Sequence, residues 1–284
     1  MIKNGRVIFI QPAQGQLGHH VYSTNAYGRV YGGSIWKPRL LFSNKYLKIS
    51  YGLVWLFYKL FISLIISKIN KNITFVLLDY DIRQSFILLL LAHGNLFVNT
   101  TELYSASKYK LKILRKIQNR ALLYCHSKKC IQYYNKHQIN NVCHWPSPSL
   151  TISDIIETSE KLDFLDSFQI LTARHMTCND LKTLINKYKV KNNLVVLCRS
   201  DDILKLKKLF PLIKFHGYIS EKYLLFLISK CSSVIIPYSN KVIGESAFAQ
   251  LAAAYSKPIF FIDKKYFFYN SFDYKKKYIL RLND

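Results

Sequence analysis

The sequence predicts an α/β protein of two Rossmann-like domains, residues 1–150 and 151–284, with a cleft between them. Three observations carry this expectation. Short β-branched or aromatic runs recur along the whole chain, helical stretches separate most of them, and the composition shifts once near the middle. Strands that alternate with helices pair in parallel, because the intervening helix returns the chain to the same sheet edge.

In the first half the predicted strands are RVIFI (6–10), ITFVLL (73–78), NLFVN (95–99), ALLYC (121–125) and NVCHW (141–145). A helix is predicted over 107–119, where Leu111, Leu114 and Ile117 form one apolar edge among lysines and arginines. The segment 146–166 contains Pro146 and Pro148, several Ser and Thr, and a cluster of acids. Proline restricts both itself and its predecessor, so this reads as the linker. The rhythm then resumes with FQILTA (168–173), LVVLC (194–198), IKFHG (213–217), SVIIPY (233–238) and PIFFID (258–263). Ser220 and Ser246 stand as N-caps before helices that run to about Cys231 and Tyr255.

The formal net charge is +25, and it is uneven. Residues 1–150 carry about +17, with Asp79, Asp81 and Glu102 as their acids, and the remainder about +8. Such a field favours phosphates, nucleic acid or an acidic membrane surface. Six cysteines without a Cys-x-x-Cys pair read as reduced thiols. The N-terminal apolar run is too short for a signal-peptide core, so a cytoplasmic location is expected. Residues 51–67, YGLVWLFYKLFISLIIS, are apolar nearly all round except for Lys59. Three readings stand open for this stretch: a buried helix, a helix in the bilayer interface, and a membrane span.

Ligands of open α/β sheets bind beyond the carboxyl ends of strands. Past RVIFI come Gly15, Gly18, His19 and His20; past ITFVLL come Asp79 and Asp81; past NLFVN comes Glu102. These carboxylates suit a general base or sugar hydroxyls, and Asp81 equally suits helix capping. Past FQILTA come Arg174 and His175, and an arginine there can fork onto phosphate oxygens. The stretch VIGESAFAQLAAAYSKPIFF (242–261) opens a helix of small residues with Gly244-Glu245-Ser246 and closes it with Lys257-Pro258. Free N–H groups at such a helix start can receive a diphosphate, and the alanines permit close packing on a sheet. Cys125, His126, Cys130, His137, Cys143 and His144 are ligand types for zinc, but their spacing lacks tight pairs, and buried thiols explain the cysteines better.

The stretch from His216 to Phe261 resembles the donor-binding region of GT-B glycosyltransferases, especially the retaining, nucleotide-sugar-dependent bacterial polysaccharide enzymes. Gly217, Ser220, Pro237, the small-residue helix and Lys257-Pro258 stand at that family's motif positions. ILTARH (170–175) is similar to the family's strand ending in Gly-Arg, and LGHHVYSTNAYG (17–28) to its Gly-His loop. NNVCHWPSP (140–148) is similar to the strand that closes the N-domain. Two motif residues differ: Leu251 stands where the second Glu of Glu-x7-Glu would fall, and Glu245 lies two positions after the first. Cys178 stands about where the family has a lysine, and the chain runs only about twenty residues past PIFFID, an abbreviated C-terminus for the family.

The resemblance implies a hexosyltransferase, with retention or inversion of configuration both open, moving a sugar from a UDP- or GDP-linked donor to a capsular, lipopolysaccharide or lipid-linked glycan acceptor. It implies no cofactor and no metal; the nucleotide-sugar is a substrate. Gly18, His19, Arg174, Gly217, Tyr218, Tyr238, Glu245 and Ser246 would contact the donor. His20, Asp81, Glu102 and Glu245 would line the catalytic cleft. The enzyme would be peripheral at the inner face of the membrane, drawn there by anionic lipid. Two other readings stand beside it: a catalytically silent GT-B-like binding protein, suggested by Leu251 and Cys178, and a basic nucleic-acid binder. The latter rests on charge alone, without a recognised module, so no nucleic-acid partner is expected.

Overall fold

The computed structural model describes residues 6–12, 19–39, 44–101, 106–145, 148, 168–173, 176–188, 193–217, 219–237, 246–261 and 279–281. The chain divides into two compact units, with Met1–Pro148 forming the bulk of the first and the chain from Ser149 the bulk of the second. Most of the expected linker over 146–166 lies outside the described residues.

The first unit runs β1 (Val7–Ile10), α1 (His19–Tyr31), β2 (Ser34–Trp36), α2 (Lys45–Ile69), β3 (Thr74–Leu77), α3 (Ser85–Leu91), β4 (Leu96–Asn99), α4 (Lys108–Ile117), β5 (Leu122–Cys125), α5 (Lys128–Lys136) and β6 (Val142–His144). All strand pairs are parallel, in the order β2-β1-β3-β4-β5-β6. Period-two alternation divides each strand between two apolar faces. Ile8, Ile10, Phe75 and Leu77 face one core with Leu56 and Leu60 of α2 and Leu111 and Leu114 of α4. Val7, Phe9, Val76 and Tyr124 face the other with Tyr27 and Trp145.

The β2 strand, Ser-Ile-Trp, is too short and too mixed in type to announce itself in the sequence. Its position is set by glycines. A Cβ on Gly33 would press on the Phe9 ring and lie 2.8 Å from the Val7 carbonyl, and one on Gly28 would lie 2.9 Å from Ile35.

The second unit runs β7 (Gln169–Thr172), α6 (Cys178–Tyr188), β8 (Leu194–Leu197), α7 (Ile203–Leu209), β9 (Lys214–His216), α8 (Glu221–Lys230), β10 (Ser233–Ile236), α9 (Ala247–Ala254), β11 (Ile259–Phe261) and β12 (Ile279–Arg281). Its sheet is again wholly parallel, ordered β12-β11-β10-β7-β8-β9. Read from β9, this is the 3-2-1-4-5-6 order of nucleotide-binding Rossmann sheets. Leu171, Leu194, Val196, Phe215 and Ile235 pack with Leu181 and Ile185 of α6 and Leu206 of α7 on one face. Right-handed connections carry α8 and α9 to the opposite face.

Each sheet therefore has one point where the strand order reverses. In the first it lies between β1 and β3, in the second between β7 and β10. At such a point the connecting loops leave in opposite directions, and a crevice opens at the carboxyl edge.

Candidate functional site: the carboxyl edges of the two sheets

In the first unit, β1 ends at Ile10 and β3 at Leu77, and the Leu78 N–H donates to the Ile10 carbonyl (3.0 Å). Gln11, buried, donates from Nε2 to Thr24 Oγ1 of α1 (3.3 Å). Asp79 comes two residues after β3, half-buried at the reversal point. The sequence marked its position but gave no reason to prefer it over its neighbour Asp81.

Asp81 caps a 3-10 turn over Ile82–Gln84. Its carboxylate accepts from the Arg83 N–H (2.9 Å) and pairs with Arg83 Nε, while Gln84 Oε1 accepts from the Asp81 N–H. Partial burial alone would raise its pKa, but the Arg83 hydrogen bonds and charge, with Lys110 farther off, hold it below the usual carboxylate value. A carboxylate so held is a weak base, and capping accounts for its described contacts.

The ends of β4, β5 and β6 are tied into one network that sequence reasoning missed. Asn99 donates to the Leu78 carbonyl (2.7 Å) and to His126 Nε2 (3.3 Å), and its Oδ1 accepts from the Thr101 N–H (2.9 Å). Thr101 Oγ1 accepts from the His126 N–H (3.2 Å). Because the Asn99 amide donates to Nε2, the other ring nitrogen carries the proton and donates to the Trp145 carbonyl (2.7 Å). Trp145 Nε1 in turn donates to Tyr31 OH of α1 (2.8 Å). With both nitrogens engaged, His126 positions strand ends and is not placed to shuttle a proton. The signal available in the sequence was that Asn99, His126 and His144 each sit at a strand end.

Cys125 and Cys130 are buried side by side, and their mutual hydrogen bond, then burial, pushes the Cys125 thiol strongly up. Among the described residues no group of three His, Cys, Asp or Glu side chains is placed to hold a metal ion.

In the second unit, β7 and β10 lie side by side at the reversal point. The helix after a strand of a parallel sheet starts at the carboxyl edge, so α9 after β10 begins there. Ser246 is its N-cap, 1% exposed, and its hydroxyl accepts from the Ala249 N–H (3.2 Å). Ala249 and Ala252 are fully buried, and α9 packs against β10 and β11. Leu251 is buried as well, in the position where the resembled family carries its second glutamate. A carboxylate there would lose its hydration unless paired.

The helix ends in a Schellman motif, with Ser256 N–H donating to Ala253 O (3.0 Å) and Lys257 N–H to Ala252 O (2.9 Å). Ser256 takes φ 56°, a conformation glycine adopts without strain.

Gly217 follows β9, and the structure gives its own reason for glycine. A Cβ there would collide with Ser200 Oγ and reach 3.1 Å from Ile203 Cδ1. The close approach is to a neighbouring turn of the same unit. Ser220 caps α8, accepting from the Tyr223 N–H (3.2 Å). Burial first, then Lys207 and Lys214, lowers the pKa of His216, so its imidazole is held toward the neutral form.

His19 and His20 form the first turn of α1; their side chains, with Gly18, Glu102, Arg174, Tyr218, Tyr238 and Glu245, lie outside the described residues. In sequence, Arg174 comes two residues after β7, and 238–245 span from β10 to the Ser246 cap.

Fold and edges define an α/β protein of two parallel sheets, of the GT-B-like class. No family model matches the sequence. No curated protein matches it either. Among solved structures, the chain is similar to Anabaena Alr3699/HepE in complex with UDP and glucose, at TM-score 0.55 and 9% identity, over 90% of this chain and 80% of that one. It is also similar to S. aureus MnaA in a UDP co-structure (TM-score 0.46, 9% identity, 97% and 83% covered). The lipopolysaccharide outer core galactosyltransferase WaaB, apo form, aligns at TM-score 0.47 and 11% identity, over 90% and 80%. The HepE likeness carries the fold.

Proposed function

We propose that the protein is a glycosyltransferase that moves a hexose from a UDP- or GDP-linked donor to a glycan or lipid-linked saccharide. The observation that carries this reading is the strand order of the second sheet. It sets β7 beside β10, the strands after which Arg174 and the 238–246 segment follow in sequence. The fold shared with HepE, whose structure holds UDP and glucose, supports it.

In this reading the donor diphosphate meets the start of α9. Amide dipoles there favour negative charge, and Arg174 adds a fixed cation. Glu245 and Tyr238 orient the sugar and base; Tyr218 and Gly18-His19 complete the donor contacts. With retention, the departing phosphate helps deprotonate the acceptor hydroxyl. With inversion, a carboxylate or histidine must take that proton. Asp79, at the reversal point of the first sheet, is then favoured over Asp81, whose carboxylate is held by its cap; His20 and Glu102 remain candidates for the same task.

The test is a thermal-shift and calorimetric screen against UDP, GDP, CMP and their sugars. Stabilisation by a UDP or GDP species, lost in Arg174→Ala, supports the reading, and no response to any nucleotide overturns it. Asp79→Asn lowering kcat while Asp81→Asn lowers only thermal stability would separate base from cap. A second reading, a donor-binding but catalytically silent protein, is favoured by buried Leu251. Binding of a nucleotide-sugar without hydrolysis or transfer would select it.

A further inference from the structure

The helix α2 has two apolar sides, and the first unit uses one of them. Gly52, Leu56, Leu60 and Ser63 are buried, and Leu56 and Leu60 belong to the core under β1 and β3. On the opposite side, Leu47, Val54, Phe57, Tyr58, Phe61 and Ile65 are all exposed, from 44% at Ile65 to 69% at Val54. At about 100° per residue these six fall within roughly 60° either side of Val54, a continuous stripe. The adjoining helix α3 leaves Phe86 and Leu90 exposed, 71% and 51%. An apolar stripe of this length, left in water, marks an interaction surface.

Charge decides what covers it. Between Lys48 and Lys68 the one charged residue is Lys59, half-buried at the edge of the stripe. Its ammonium lies over the rings of Trp36 (4.9 Å), Tyr58 (5.4 Å) and Trp55 (6.0 Å). Lys48, Lys68 and Lys71 bracket the stripe, and the chain has no acid before Asp79. An apolar stripe with cationic ends and amphipathic aromatics fits the boundary of an anionic bilayer. A second copy fits poorly, since an isologous pairing would press two acid-free basic surfaces together. A transmembrane span fails for another reason. The helix is long and apolar enough to cross, but its buried stripe already covers the sheet, and insertion would strip that face.

We propose that α2 is an interfacial anchor: it lies in the plane of an anionic membrane, with the Leu47–Ile65 stripe in the acyl boundary and the flanking lysines among the headgroups. This inference does not depend on the nucleotide-sugar reading, and its test uses no nucleotide. The full chain is sedimented with vesicles of phosphatidylglycerol and phosphatidylcholine (1:1), or of phosphatidylcholine alone, at low and high salt. Strong binding to the anionic vesicles is expected, weakening on neutral ones and in salt.

The double variant Phe57→Ser/Phe61→Ser should bind at least about tenfold more weakly with an unchanged melting temperature, because both rings are solvent-exposed. Lys48→Gln/Lys68→Gln should weaken anionic binding several-fold and leave the neutral baseline alone. Four results would overturn the proposal. One is no vesicle binding by the wild type. Another is equal binding by the Phe57/Phe61 variant. The third is wild-type dimerisation that this variant abolishes without any vesicle binding. Retention in membranes after alkaline extraction would also overturn it, in favour of a span.

Discussion

The helices α2 and α9 are both strongly apolar, and their fates are opposite. α9 spans eight residues, and Ala249, Gln250, Leu251, Ala252 and Ala253 are all buried. α2 spans 25 residues, yet buries a single stripe and turns another, no less apolar, outward. Composition does not separate them. Side-chain size and position in the topology do. Alanines let α9 settle closely on β10 and β11, so the sheet itself covers it. α2 connects β2 with β3 across the face of the first sheet; Leu56 and Leu60 turn to that core, and Phe57, Tyr58, Phe61 and Ile65 turn away from it, where nothing among the described residues covers them. An apolar helix is a core helix only as far as neighbours exist to cover it.

That comparison can be broken most forcefully on the inner stripe of α2. Leu60→Ala, at a fully buried position, should cost about 3 kcal/mol in urea unfolding, while Phe61→Ser next to it should change stability by less than about 0.5 kcal/mol. Equal losses would mean that the outer stripe is covered after all.

The second test is acidification. His93 is buried against α2, with Nε2 3.0 Å from Ser63 Oγ, whose hydroxyl donates to the Leu60 carbonyl. The Ser63 oxygen therefore accepts the Nε2 proton, and Nδ1, buried without a partner among the described residues, is left unprotonated. Burial lowers the His93 pKa to about 4, from the ordinary 6.5. Between those values the unfolded chain takes up the proton and the folded chain does not. Stability is therefore full above about pH 6.5 and falls as pH drops toward 4, by up to about 3 kcal/mol. His93→Gln should flatten this part of a Tm-versus-pH curve; an unchanged slope would remove His93 from the account.

On α9 the expected effects are smaller. Ala252→Leu should destabilise by about 2 kcal/mol, since the sheet leaves no room for added methylenes. The same enlargement at an exposed position of α2, Ser50→Leu, should be neutral. The smallest effect has the opposite sign. Ser256→Gly should stabilise by about 1 kcal/mol by relieving the left-handed conformation at φ 56°, as read from the denaturation midpoint.

Much of the fold was legible because strands and amphipathic helices write their periodicity locally. Val7–Ile10, Thr74–Leu77, Leu194–Leu197 and Ser233–Ile236 are apolar runs that a parallel sheet buries on both faces, and each lies within a predicted strand. Helix stops were harder. Both α5 and α9 close in Schellman motifs without glycine, through Gln138 at φ 59° and Ser256 at φ 56°, so no residue type announces them. Of the candidate site, Ser246 and Ser220 were readable as caps from a serine before a helical run. The network of Asn99, Thr101, His126 and Trp145 was not, because its members are joined across three strands.

The sequence by itself determined the alternation of strands and helices, the two α/β halves, the basic field of the first half and the serine caps. These depend on near neighbours and on sums over residues. Only the tertiary structure decided the strand orders, and with them the reversal points at β1/β3 and β7/β10. It alone showed that Gly217 accommodates Ser200, that Asp81 is held by its cap and Arg83, and which side of α2 is left uncovered. The physical reason is common to all of these. Register, order and burial are set by contacts between segments far apart in the chain, and no local pattern encodes which distant surface will arrive.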